Sequence, residues 1–517
     1  MTCIVITLGA SLAACGGGSS DAGGGGGGSR TVSGEFVSAP TSFDPARATA
    51  RDDYVANALM FDTLVHNDEN ATYVGGLATD WEAKSASEYV FTIRDDATCA
   101  DGTKITAGLV ADSLNYFADQ SAGNHVSAPL VFGPGKPTIT ADDDASVVTI
   151  KTAAPYVNLV AGLAIPQSGI VCPAGLDDPK ALAQGTAEGA ASGPYTLAES
   201  KAGVSYTFKL RDDYDAWPEY ATPLEGTPPP EIVFSMATDD ATSSNKMLSG
   251  DLDFALLGGE SIERFADSSD QNKELITFAN GYVMFNERPG HYFADNQPAR
   301  QAVARAIDRD AFNQIFSNGE GELFNSVVPS SYRCVNTDES LIEPLDPAAA
   351  ASVLDGASIK IIASNSFGGD GKAAEYIQQV LTDAGADVKL DTVDNATWAS
   401  TINDPSGDWD LTIQGDLNSL KVISASLDRV MGPAIEDGGR NIPGNDNAEG
   451  AEALKKALST VDPDEQCAAY QTAQKTMLER DDVVPMAGIT WLLISSGDVT
   501  LRAPNDTIDY TTLRISD

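Results

Sequence analysis

Between Gly76 and Leu114 the spacing of apolar residues changes period, and that change restricts the fold more than any other feature of the chain. Tyr89, Phe91 and Ile93 alternate as in a half-buried hairpin, after which Leu109, Val110 and Leu114 recur at helical spacing behind Thr106, a residue able to cap the helix. Two later segments read as strand, helix and strand. Glu231 to Met236 reads as a strand, Asp239 caps a helix through Leu248, Gly250 stops it, and Asp251 to Leu256 reads as a second strand, an order that implies a parallel pair. Asp346-Pro347 starts a helix to Leu354. Ile359 to Ala363, Ala373 to Ala384 and Val388 to Val393 then form a strand, helix and strand with Gly385 as the helix stop, expected to pack as a right-handed βαβ unit. The chain is therefore α/β, and its 517 residues give room for two or three packed units.

Charge narrows the partners. Thirty-two basic residues against 75 acidic ones leave a net charge of −43, which repels nucleic acid and anionic lipid over a Debye length of roughly 8–10 Å. At the N-terminus, Ile4 to Leu12 is an apolar run too short to span a bilayer, and it ends in Leu12-Ala13-Ala14-Cys15-Gly16. This resembles a bacterial lipobox, which implies cleavage before Cys15 and a diacylglycerol on its thiol, although no Lys or Arg precedes Arg30. From Gly16 to Gly34 nearly every residue is Gly, Ser or another small type, the composition of a flexible leash with a root-mean-square reach of roughly 25 Å. No later apolar run reaches the roughly 18 residues of a membrane span. Cys3 would leave with the signal, and the even set Cys99, Cys172, Cys334 and Cys467 favours two disulfides in an exported chain. A zinc site lacks close-spaced ligand pairs, since the only histidines are His66, His125 and His291.

Several motifs in a fixed order carry a family resemblance. They are Asp80-Trp81 before the alternating strand, Arg94-Asp95, and Asp101-Gly102-Thr103 before the capped helix. Thr41 to Ala46 precede a helix from Asp53 to Phe61 and then Asp62-Thr63-Leu64-Val65; Gly193-Pro194-Tyr195 precedes the alternating Tyr206, Phe208 and Leu210 and the turn from Arg211 to Trp217. Ser249-Gly250-Asp251 closes the helix after Asp239, and Pro298 to Arg309 contains a helix with Ala299, Val303, Ala306 and Ile307 on one face. From about Glu35 to the end, the chain resembles the extracytoplasmic solute-binding proteins of the peptide/nickel ABC-importer family.

That resemblance implies a two-lobe, periplasmic-binding-protein-like fold of type II with mixed sheets and a hinge. Its divisions would be 1–14 signal peptide, 15–34 lipidated cysteine and linker, 35–278 lobe 1 with an additional small subdomain, 279–487 lobe 2, and 488–517 return to lobe 1. Tyr282 to Asn286 would open the second lobe, and a helix from Glu465 to Leu478 with the apolar Val483 to Ile494 would lead back. The two-lobe division implies disulfides within lobes, Cys99 with Cys172 and Cys334 with Cys467, because a bridge across lobes would lock the hinge. The implied protein is a monomer, lipid-anchored on the outer face of the cytoplasmic membrane, which captures oligopeptides or dipeptides and delivers them to permease and ATPase subunits without a cofactor or metal. The same fold could take a sugar, an opine or a nickel chelate.

A buried peptide ammonium needs a carboxylate. By resemblance to peptide-binding relatives, Asp416, after the strand that starts at Trp409-Asp410, takes that position, and Leu417-Asn418-Ser419 follows it where the family carries a proline. Trp398 matches an aromatic lining the peptide pocket in relatives; Gln414, Gly415, Tyr282 and Asn286 complete the expected set. Enzyme signatures are sparse. No G-x-S-x-G or H-E-x-x-H occurs, while Ser243-Ser244-Asn245-Lys246 fits the S-x-x-K of penicillin-binding enzymes. Its companion elements should follow, but Ser113-Leu114-Asn115 and Lys151-Thr152-Ala153 precede it.

Overall fold

The computed structural model describes residues 30–120, 128–365, 371–437 and 439–516. The apolar run, Cys15, most of the leash and His125 lie outside the described residues. No helix among the described residues is long and apolar enough to cross a membrane.

The hairpin foreseen around Tyr89 is formed by Ala78–Ser85 and Glu88–Ile93, and it extends through Val147–Lys151 to Thr138–Asp142 in a four-stranded antiparallel sheet. Helix Ala107–Gln120 covers it, with the Leu109 N–H donating to Thr106 Oγ1 at 3.3 Å. Phe91, Val148, Ile150, Val110 and Leu114 share one core there. A second four-stranded sheet joins Val32–Phe36, Glu231–Met236, Ser205–Leu210 and Tyr195–Lys201 around Phe36, Tyr206, Phe208 and Phe234.

The third sheet organises the rest. Its six strands run in the order Phe254–Leu257, Val483–Ser496, Gln271–Phe285, Leu411–Asp416, Ser358–Ser364, Asp387–Val393. The two long strands serve both halves of the molecule. Ile276 and Leu493 belong to the aromatic core of the second sheet, whereas Val283, Phe285 and Met486 pack beneath helices Gln297–Ala306, Arg309–Ser317 and Lys372–Asp383. On the opposite face of the sheet, Tyr282 and Met284 meet Trp398, Trp409, Leu427, Tyr470 and Met477. Register shifts between Thr277 and Ala279 and between Asn280 and Tyr282 mark bulges where the long strands pass from one half to the other. Bulges sharpen local twist, and these fall where the chain changes core.

Three expectations are corrected. Glu231–Met236 and the following strand do not form a parallel pair: Val32–Phe36 takes the parallel place beside Glu231–Met236, and Phe254–Leu257 pairs antiparallel with Val483–Ser496 in the other sheet. Long-range partners won over the neighbour in sequence. The opening helix runs Arg51–Met60, two residues earlier than Asp53, because the Asp53 carboxylate reaches back to the N–H groups of Thr49 (3.0 Å) and Ala50 (3.1 Å) and closes the first turn. The last long helix spans Pro463–Glu479 behind the Asp462 cap. Cys99 is bonded to Cys172 and Cys334 to Cys467, each pair within one half.

Candidate functional site

Strand Leu411–Asp416 is buried along its whole length, flanked by Gln271–Phe285 on one side and Ser358–Ser364 on the other. This central place buries even its polar Thr412 and Gln414 and carries Asp416 to the sheet end beside the bulges, opposite Asn280. Asp416 is 1% exposed. Its carboxylate accepts from Ser426 Oγ at 2.6 Å, from the Asn418 N–H at 3.2 Å and from the Tyr282 hydroxyl at 3.5 Å. Arg429, on helix Ile423–Met431, places Nε 2.9 Å away. That contact is one of charge more than of a formed hydrogen bond, since the Nε hydrogen is not aligned on the oxygen.

The structure brings Asp416, Gly415, Gln414 and Tyr282 together in neighbouring register positions. Gln414 is 3% exposed, and its Oε1 has no hydrogen-bond partner among the described residues. Burial, reinforced by Asp416, pushes the Tyr282 phenol well above its ordinary range. Trp398 sits in the core behind the strand, donating from Nε1 to Thr412 Oγ1 at 2.9 Å. Asn286 lies at the other end of the pairing, about 20 Å from Asp416 at roughly 3.4 Å per residue, where its amide donates to the Trp409 carbonyl at 3.0 Å.

Sequence reasoning missed much of the surroundings. Asn280 Nδ2 and the Tyr332 hydroxyl, on residues 1% and 2% exposed, have no hydrogen-bond partner among the described residues. Lys421 Nζ donates to the Thr277 carbonyl at 3.0 Å; burial holds the ammonium below its ordinary value while Asp506 and Asp416 oppose that shift. Arg440 makes no ion pair among the described residues, and burial together with Arg429 pushes its pKa down. The loop carrying it is pinned to the helix by the Ile442 N–H donating to the Arg429 carbonyl at 2.9 Å. The only advance signal was the presence of Arg429 and Arg440 in so acidic a chain.

The site lies where the halves meet. Asn158 Nδ2 donates to Ser424 Oγ at 2.8 Å, the Val157 N–H donates to the Leu458 carbonyl at 3.3 Å, and Leu420 packs into the core of the hairpin sheet. What this arrangement offers is a set of buried donors and one shielded carboxylate, suited to holding a small polar solute. The S-x-x-K residues lie elsewhere: Ser243 Oγ and Lys246 Nζ both donate to Glu35, each at 2.5 Å, so the lysine is spent on a carboxylate rather than on the serine. No group of three or more metal-ligating side chains is placed to hold an ion among the described residues.

Comparison with known proteins gives the geometry a context. Residues 72–434 match the model of the bacterial extracellular solute-binding proteins, family 5 Middle. A substrate-binding protein from Microbacterium hydrocarbonoxydans, crystallised with 4-hydroxybenzoate hydrazide, is 37% identical with a TM-score of 0.78, covering 94% of this chain and 100% of that one. The probable D,D-dipeptide-binding periplasmic protein DdpA of Escherichia coli K12 is 23% identical over 466 residues, 85% of each chain. The binding protein AgaA with agropinic acid, from A. tumefaciens R10, shares the fold at 22% identity, with a TM-score of 0.72 over 94% of this chain and 99% of that one.

Proposed function

The chain belongs to the bacterial extracellular solute-binding proteins of family 5, and from that membership we propose that it is the capture subunit of an ABC importer, closing two lobes over a short peptide. The observation that carries this reading is the cluster of unpartnered buried polar groups, Gln414, Asn280 and Tyr332, around Asp416 at the junction of the halves. In this reading the Arg429 ion pair is the resting state. A peptide ammonium displaces Arg429 from Asp416, because a buried carboxylate left without a cation is unfavourable by several kcal/mol. Gly415 and the strand edge supply main-chain hydrogen bonds, and Trp398 and Tyr282 hold the pocket wall. Asn286, at the far end of the strand, belongs to the second lobe's frame.

The lobes divide at 278/279 and 487/488, close to the bulges of the long strands, and ligand binding shifts an open and closed equilibrium that the permease reads. The protein is a monomer, moored outside the membrane through Cys15. It transports its solute unaltered.

A second reading is favoured by the same ion pair. If Arg429 never leaves Asp416, the solute is uncharged or acidic, a choice in keeping with the acyl hydrazide bound by the 37% identical relative. Mass spectrometry of material that co-purifies with the protein, followed by calorimetric titration of dipeptides and of 4-hydroxybenzoate hydrazide, separates the two. Loss of dipeptide binding in an Asp416→Ala variant that still unfolds in one cooperative transition supports the first reading; unchanged dipeptide affinity removes Asp416 from the site.

A further inference from the structure

Residues 417–422 leave the central strand directly after Asp416, inside the second half, yet one of them is buried in the first. Leu420 is 3% exposed and belongs to the core that holds Phe91, Val110 and Leu114 of the hairpin sheet and its helix. Among the described residues it is the one fully buried member of that core from beyond Ala216, and Val422 packs against it. Leu417, three positions earlier, is exposed.

The backbone takes an unfavourable path to put Leu420 there. Asn418 at φ 36° and Lys421 at φ 52° both stand in the left-handed region, which residues with side chains adopt when their surroundings hold them in it. A ring of hydrogen bonds closed through Asp416 does the holding. The Asn418 N–H donates to Asp416 Oδ1 at 3.2 Å and the Ser426 hydroxyl to Oδ2 at 2.6 Å; Asn418 Nδ2 donates to Ser426 Oγ at 2.9 Å and to the Val422 carbonyl at 2.8 Å. The Lys421 N–H donates to the Asn418 carbonyl at 2.9 Å, while Lys421 Nζ donates to the carbonyl of Thr277 beside the bulge at 3.0 Å. One short segment is thus tied to the carboxylate of the candidate site, to a long strand at its bulge and to the apolar interior of the other half.

The receiving side is fixed within the first half. Tyr156 donates from its N–H to the Ala86 carbonyl at 2.7 Å and from its hydroxyl to the Leu130 carbonyl at 2.6 Å. Beyond it, only the Val157 N–H and the Asn158 amide reach across, to Leu458 and Ser424, and water replaces such neutral hydrogen bonds when the partners separate. Water does not replace the burial of Leu420, so the leucine dominates the contact.

We infer that residues 417–422 are a closure latch, in which Leu420 plugs the first half and the Asn418 ring makes the seating of that plug depend on Asp416. A solute that alters the bonding of Asp416 acts directly on the contact that holds the halves together. The inference rests on the reading of two halves that part and close, and on no particular solute.

The test needs no solute. Ser424 is buried at the junction, and Ala473 is buried in the second half's own core. Ser424→Cys and Ala473→Cys are introduced separately into the intact chain, and their reaction with dithionitrobenzoate is followed above the background of the parent. The Ser424→Cys thiol should react at least about tenfold faster than the Ala473→Cys thiol and with a weaker urea dependence, because parting the halves exposes it without unfolding. Adding Leu420→Ala should speed the Ser424→Cys reaction at least about tenfold, since the leucine is released in that motion. Asn418→Gly keeps the left-handed backbone, removes the side-chain bonds and should speed it at least about threefold, whereas Leu417→Ala should change it by less than about twofold. A Ser424→Cys thiol that outpaces the Ala473→Cys thiol but is not accelerated by Leu420→Ala overturns the latch and leaves the moving halves standing. Two thiols that react equally slowly, with the same urea dependence, overturn the latch together with the closing lobes.

Discussion

Replacing Arg429 with methionine tests the energetics of the site in one step. The substitution keeps most of the apolar stem but leaves Asp416, 1% exposed, without its cation. Removing one member of a buried pair destabilises a protein by about 3–5 kcal/mol. Here the carboxylate keeps the Ser426 hydroxyl and the Asn418 N–H, and the Arg429 side chain is 26% exposed, so the expected loss falls to about 2–3 kcal/mol. For a cooperative unit of 150–250 residues each kcal/mol moves the midpoint by about 2–4 °C, and differential scanning calorimetry should show the second-lobe transition about 5–10 °C lower. Adding Asp416→Asn removes the stranded charge and should restore most of the loss. In the peptide reading, Arg429→Met also frees Asp416 for the ligand, and a dipeptide should bind at least about tenfold more tightly. A single variant that melts within about 1 °C of the parent, or a double variant no more stable than the single one, refutes the reasoning.

Gly281 stands in the bulged hinge, where an added Cβ would lie 2.4 Å from the Ala487 carbonyl oxygen and 2.6 Å from the Phe316 ring; Gly281→Ala should therefore cost about 1–3 kcal/mol in urea unfolding and alter ligand affinity as well. Asp481, at φ 53°, has its carboxyl pushed up to about 6 by burial, so the folded state retains a proton the unfolded chain has lost, and stability falls as pH rises from about 4 through 6. Asp481→Asn tolerates the same backbone and should flatten that fall, gaining about 1–2 kcal/mol at pH 8 and nothing at pH 4, as read by thermal melts across the range. Cys99→Ala with Cys172→Ala opens a closure of 73 residues, and chemical denaturation should show a loss of about 2–5 kcal/mol confined to the first half.

Local rules carried the sequence reading where local physics decides. Asp239 and Asp346 cap their helices through the N–H groups of Thr242 and Ala349, and Gly250 and Gly385 take the left-handed conformation that ends a helix. The parallel strands Ser358–Ser364 and Asp387–Val393 pair as the intervening helix suggested. Partner choice over long distances was not legible. Nothing in Glu231 to Leu256 signals that Val32–Phe36, some 200 residues earlier, takes the parallel place, because every strand there has an equally suitable apolar pattern. The site shows the same division. Asp416 was legible as a buried acid at a strand end, but its ion pair with Arg429 depends on how the helix folds back. Asn286 directly follows the strand that holds Tyr282, and because each step along a strand adds about 3.4 Å it ends at the far side of the pairing from Asp416.

Small-angle scattering of the intact protein during titration with a solute whose binding calorimetry has established tests the central claim most directly. Two lobes that turn about the bulged strands at 277–282 should give a radius of gyration that falls with saturation and returns when the solute is dialysed out unchanged. A profile that stays superimposable from the free to the saturated protein, or a solute recovered chemically altered, contradicts the account.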